Sequence, residues 1–211
     1  MQTIYLDDID STQRYLLDEL KSKNLVAPCC VMATSQSDGK GSRANEWKSI
    51  DGNFFISFAI NKSELPIDLK LESSSIYFAQ ILKDILSKKG SKIWLKWPND
   101  FYIDGAKIGG VITNVYRDTL VCGIGLNTTN APKNFEKLDI EIENRVLLKI
   151  YINRLKEKKM WKHTFSNYLL EFEKSKSFIT HNNSEEISLK NATLNSDGSI
   201  EANGQRIYSL R

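Results

Sequence analysis

Four short segments carry the side chains that could do chemistry. The first is Lys96-Trp97-Pro98-Asn99-Asp100, followed by Lys107-Ile108-Gly109-Gly110. Proline ends strand pairing, so Asn99 and Asp100 are expected to project at a strand end, where side chains reach a ligand. An Asp104-Gly105 hairpin signal then turns the chain back. Lys107 is thereby expected to enter the next strand facing the same region. A lysine amine beside glycines suits an anionic oxygen. The competing reading is an ordinary hairpin with a solvated lysine, which the density of Trp, Pro, Asn, Asp, Lys and paired Gly makes unattractive.

The second segment is the loop Gln36-Ser37-Asp38-Gly39-Lys40-Gly41-Ser42-Arg43-Ala44-Asn45-Glu46-Trp47. Glycines let backbone N–H groups approach an anion, Lys40 and Arg43 add positive charge, and Trp47 could wall off a base. A plain surface loop would read the same way. The third, Gly123-Ile124-Gly125-Leu126-Asn127, is a strand whose glycines permit close approach of a ligand or of another backbone. The fourth, Asp10-Ser11-Thr12-Gln13, places N-cap side chains at a helix start, and those hydroxyls could instead bind polar groups of a small ligand.

The elements that must position these residues follow from periodicity. Tyr15, Leu16 and Leu20 predict a helix over 12–23. Strands are expected at 31–34 and 53–60, with 35–52 a long polar loop. Phe78, Ile81, Leu82 and Ile85 form the apolar stripe of a helix packed on a sheet, closed by Lys88, Lys89 and Gly90. Residues 93–97 read as a strand, and 110–116 with 119–124 as a hairpin around Arg117-Asp118. Two helices fill 142–174. Beyond about residue 180, short strands alternate with turns at Ser196-Asp197-Gly198 and Asn203-Gly204. This tail is too small for its own core and should dock on the rest. The fold class is α+β, a largely antiparallel sheet with helices on one face.

Composition narrows the classes. The 211 residues are 41% hydrophobic and 26% charged, ordinary for a globular chain. A net charge of +3 is weak support for nucleic-acid binding. No apolar stretch is long enough to span a bilayer, and the acidic start is unlike a signal peptide. Cys29 and Cys30 are adjacent and Cys122 is the third cysteine, an arrangement that fits a reducing, cytoplasmic setting. With two histidines, neither near the cysteine pair, no metal site is expected.

Taken together and in this order, the segments resemble the catalytic domain of biotin–protein ligases, over roughly residues 8 to 130. The Lys-Trp-Pro-Asn-Asp run is the most specific piece. The resemblance implies a class II synthetase-like catalytic domain over 1–178 and a small SH3-like domain over 179–211. It implies that biotin's carboxylate attacks ATP to give biotinyl-5′-AMP, which then biotinylates a lysine of a biotin carboxyl carrier domain of acetyl-CoA carboxylase or a related carboxylase. Mg²⁺ accompanies ATP, with no tightly bound cofactor. By position, Ser11, Thr12, Gln13, Gln36, Lys40, Gly41, Ser42, Lys107, Gly109 and Gly110 are implied to bind biotin. Arg43, Trp47, Asn99 and Asn127 are implied to contact the nucleotide, with Lys107 and Arg43 at the reacting anions. Gln13 replaces the family's usual Asn, and Lys40, Ser42 and Ala44 depart from its Arg- and Gly-rich loop. Weaker biotin binding and faster leakage of the adenylate are therefore expected. No winged helix-turn-helix fits before Asp10, so no operator binding is expected; a weak homodimer through the central sheet is compatible with the family. The rival readings are a lipoate–protein ligase, a basic binding module on residues 154–162, and a family member that binds biotin without catalysis. The retained Lys107 and Asn99 argue against the last.

Overall fold

The computed structural model describes residues 1–41, 46–182 and 185–209. A seven-stranded sheet has the order β1-β2-β5-β9-β8-β7-β6. Its strands are β1 (Gln2–Ile9), β2 (Cys29–Gln36), β5 (Phe54–Asn61), β6 (Trp94–Lys96), β7 (Asp100–Ile103), β8 (Ala106–Tyr116) and β9 (Thr119–Leu126). The β1–β2 pair is parallel and every other pair in the sheet is antiparallel. The edge strand β1 was not expected from the sequence. Its apolar Ile4 and Leu6 alternate toward the core, while Asp7 and Asp8 at its end mask that period. The expected loop at 35–52 also holds structure: β3 (Gly39–Lys40) pairs with β4 (Glu46–Trp47).

The two sheet faces are covered differently. On one, Leu16 and Leu20 of α1 (Thr12–Lys21) pack on Cys29, Val31, Ala59 and Val121. On the other, alternate residues of the same strands (Cys30, Met32, Ile56, Phe58, Cys122, Ile124) join a larger core with α2 (Ser74–Lys88), α3 (Asn144–Lys156) and α4 (Trp161–Ser175). The three longer helices thus share one face, as the apolar stripe at 78–85 predicts, and the short α1 lies across the other. The caps explain the helix starts. Ser11 Oγ accepts from Arg14 N at 3.4 Å. Asp68, from a distant loop, accepts from Trp161 N at 2.8 Å and Lys162 N at 3.0 Å. Within the basic run at 154–162, Arg154 pairs with Glu157 at 2.6 Å and Trp161 is buried.

The C-terminal strands β10 (Ile179–Asn182), β11 (Glu185–Ser188), β12 (Thr193–Leu194), β13 (Ile200–Ala202) and β14 (Gln205–Ile207) form two small sheets. Their apolar side chains, including Ile187, Leu189, Ile200 and Ile207, merge with the main core. The turn at 196–198 is held by its carbonyls. Trp161 Nε1 donates to Ser196 O at 2.8 Å, Trp97 Nε1 to Gly198 O at 2.9 Å, and Ser73 Oγ to Asp197 O. The tail therefore docks, as its size requires.

Candidate active site

A β-bulge sets the position of Lys107. Phe101 pairs with Gly109 and Tyr102 with Lys107, leaving Ile108 as the extra residue of β8. An extra residue reverses the side-chain alternation on either side of it. Ile108 turns into the core with Val111, and Lys107 turns to the face where α1 lies. There its Nζ meets Asp100 Oδ1 at 2.8 Å. Asp100 and Asn99 are held by the strand end: Val111 N donates to Asn99 O at 3.0 Å, and Asn99 Nδ2 donates to Val111 O. Trp97, fully buried, anchors the run from below, its backbone N donating to Ser175 Oγ at 2.9 Å.

The start of α1 and the end of β2 build a polar wall of the same cavity that Lys107 lines. Thr12 N and Thr12 Oγ1 both donate to Gln36 Oε1, at 2.8 and 3.0 Å. Gln36 Nε2 donates to Ser49 Oγ at 3.2 Å, and Ser57 Oγ donates to Thr12 Oγ1 at 3.0 Å. The relay runs Ser57, Thr12, Gln36, Ser49, so each amide and hydroxyl has a fixed direction. Gln13 Nε2 donates to Asn114 Oδ1 at 3.0 Å, and its buried Oε1 has no partner among the described residues.

The glycines of β9 explain themselves by contact. A Cβ on Gly123 would lie 2.6 Å from Gln13 Oε1, and one on Gly125 3.0 Å from the Trp47 ring. Each glycine makes room for one side chain of the wall. The Trp47 ring also meets Phe135 edge-on, with centroids 6.2 Å apart, and its buried Nε1 has no partner among the described residues.

Most of these groups line one cavity that opens to solvent. Ser11, Thr12, Gln13, Gln36, Lys40 and Gly41 line it together with Trp47, Asn99, Lys107 and Gly110. At the rim, Asp38 bridges Lys40 at 2.6 Å and Arg14 at 2.9 Å. Lys40, then Arg14, hold the Asp38 carboxyl below its usual pKa, and Asp38 in turn raises that of Arg14.

Two expected site residues lie elsewhere. Gly109 is inside the sheet, where a Cβ would meet Gly125 O at 2.6 Å. Asn127 is fully buried; its Nδ2 donates to Glu136 O at 3.1 Å and its Oδ1 accepts from Asn53 at 3.4 Å, so it ties down the segment after β9. Ser42 and Arg43 lie outside the described residues. Sequence reasoning missed Ser49, Ser57 and Asn114. Only the alternation in β5 signals Ser57, a polar residue in an otherwise apolar buried strand.

The family model for the biotin/lipoate A/B protein ligase family matches residues 5–127, the span that holds all four segments. The chain belongs to this family. Among solved structures, it is similar to biotin acetyl coenzyme A carboxylase synthetase from Helicobacter pylori with bound biotinylated ATP. That likeness has a TM-score of 0.94 at 39% identity and covers 98% of this chain and 99% of the other. It is 28% identical over 137 residues to the bifunctional ligase/repressor BirA of Bacillus subtilis, covering 63% of this chain and 42% of that protein. It is 33% identical over 129 residues to BirA of Escherichia coli K12, covering 56% and 38%. The matches thus span less than half the length of these curated relatives. The biotin/lipoate ligase fold, a mixed sheet with small C-terminal sheets, is shared over nearly the whole chain. Among the described residues no helix is long and apolar enough to cross a membrane, and no three His, Cys, Asp or Glu gather as a metal site.

Proposed function

We propose that this chain is a biotin–protein ligase, which adenylates biotin with ATP and passes the biotinyl group to a carrier-domain lysine. The observation that carries the reading is one cavity lined both by the directed polar wall at Thr12, Gln13 and Gln36 and by Lys107, whose ammonium meets Asp100 on the same lining. The likeness to a structure with bound biotinylated ATP supports it. Biotin is neutral at its ureido ring, which suits hydroxyl and amide partners; its carboxylate is anionic, which suits Lys107. In the first step a carboxylate oxygen attacks the α-phosphorus and the bond to the β-phosphate oxygen breaks, releasing pyrophosphate. In the second, a neutral lysine amine attacks the acyl carbon, AMP leaves with the C–O electron pair, and the amine's proton passes to solvent.

Both reactants of the first step are anions, so positive charge must stand where they meet. We assign that role to Lys107, with Lys40 on the same lining and Arg43 by its position in the sequence alone. Trp47 over Gly125 provides a flat wall for the adenine, and Asn99 lines the same cavity. Mg²⁺ would be held chiefly by the triphosphate, with Asp100 as a carboxylate on the cavity wall. The proposed acceptor is the biotin carboxyl carrier domain of a carboxylase, and the three buried thiols suit a cytoplasmic enzyme. Incubation with biotin, α-labelled ATP and such a carrier tests the reading. Labelled AMP and biotinylated carrier are expected; a carrier left unmodified while lipoate is transferred would overturn it.

A further inference from the structure

Gln13 differs from the Asn usual at its position, and the fold supplies it with a dedicated partner. Its side chain reaches β8, where Nε2 donates to Asn114 Oδ1 at 3.0 Å, 101 residues away in sequence. Gln13 is 5% exposed, and its Oε1 is buried without a partner among the described residues. That oxygen sits where a Cβ on Gly123 would fall, at 2.6 Å, so the absence of a side chain at Gly123 is what admits it. A carboxamide can turn end for end. Asn114, by accepting from the nitrogen, favours the orientation that leaves the oxygen beside Gly123, which lines the cavity. A buried acceptor left unpaired is costly, and it calls for a donor from the ligand. The neighbouring Thr12 hydroxyl, which donates to Gln36 and accepts from Ser57, keeps one lone pair. Together they offer acceptors to two N–H donors.

We infer that Asn114 is a positioning residue that fixes the Gln13 carboxamide to accept an N–H of a cyclic urea, and so sets affinity for the biotin head. This rests on the proposed function and adds a residue to it. The experiment is a double-mutant cycle read by biotin-dependent ATP–pyrophosphate exchange, with Asn114→Leu, Asn114→Asp, Gln13→Leu and the Gln13→Leu/Asn114→Leu pair. Asn114 is exposed, so its replacement leaves the core intact. Asn114→Leu is expected to raise the biotin KM about fivefold, within the range of one neutral hydrogen bond, while ATP KM and kcat stay within about twofold. Asn114→Asp, which still accepts from Nε2, should restore the biotin KM. The pair should be no worse than Gln13→Leu alone. The inference fails if Asn114→Leu leaves the biotin KM within about twofold, if the two effects simply add, or if Asp is as harmful as Leu. An unsubstituted protein with no biotin-dependent exchange overturns the proposed function, and this inference with it; the failures are told apart because only that one appears before any substitution.

Discussion

Gly123 and Gly125 are two residues apart and face the same side of β9, yet each makes room for a different side chain, which the proposed function assigns to different halves of the adenylate. Gly123 admits Gln13 and Gly125 admits Trp47. Gly123→Ala should therefore raise the biotin KM and Gly125→Ala the ATP KM, each about tenfold, which is about 1.4 kcal/mol and within the usual cost of overpacking. Steady-state exchange with each substrate varied in turn separates them; equal effects on both KM values would contradict the assignment. Lys107→Ala should lower adenylate formation by about 10²- to 10³-fold, the usual loss when a preorganised positive donor is removed from developing charge. Single-turnover trapping of the adenylate measures it. The glycines were legible as sites of close approach, but the sequence could not say of what. Trp47 and Gln13 lie 76 or more residues away in sequence, and only folding brings them there. Asn127 shows the converse. The family resemblance implies a nucleotide contact for it, and in the fold its amide holds the segment after β9.

At the scale of elements, the central hairpins and α2 follow from local signals. The β1 edge and the bulge at Ile108 do not. An edge strand needs little hydrophobic patterning, and a bulge is one residue of register that no composition encodes. The bulge matters most, since without it Lys107 would share the core face with Val111. Long-range caps were equally invisible. Asp68 caps α4 from a loop some ninety residues earlier. Burial, the largest influence on its carboxyl, pushes the pKa up, but hydrogen bonds from Lys162, Trp161 and its own backbone outweigh this and leave it lowered. A depressed folded-state value means the cap stabilises fully above the unfolded value near 3.9 and loses its contribution as pH falls through the folded one. Asp68→Ala should cost about 1 kcal/mol at pH 7. By urea unfolding, the difference between variant and parent should shrink as pH falls below the unfolded value of about 3.9; a gap that stays constant on acidification would contradict the ionised cap.

For the whole molecule, the tail and the site are mechanically joined. Trp97 belongs to the run that presents Asn99 and Asp100, and its indole N–H holds Gly198 of the C-terminal turn. We propose that the division at 178/179 is one of sequence only, and that the two parts unfold together, because their apolar side chains share one core. Trp97→Phe keeps most of the ring but leaves the Gly198 carbonyl unpaired, at a cost of about 1–3 kcal/mol. A single, earlier thermal transition is expected in the variant, and two separate transitions would contradict the shared core. That the tail must dock was readable from its size; where it docks was not, because its apolar side chains join a core built from distant elements and the carbonyls of its turn leave no mark in a side-chain pattern. The central claim is that this cavity joins biotin to ATP. It is tested most directly by ATP–pyrophosphate exchange with the purified protein given biotin, lipoate or no acid. The account predicts exchange with biotin alone; exchange driven by lipoate, or none with biotin, would contradict it.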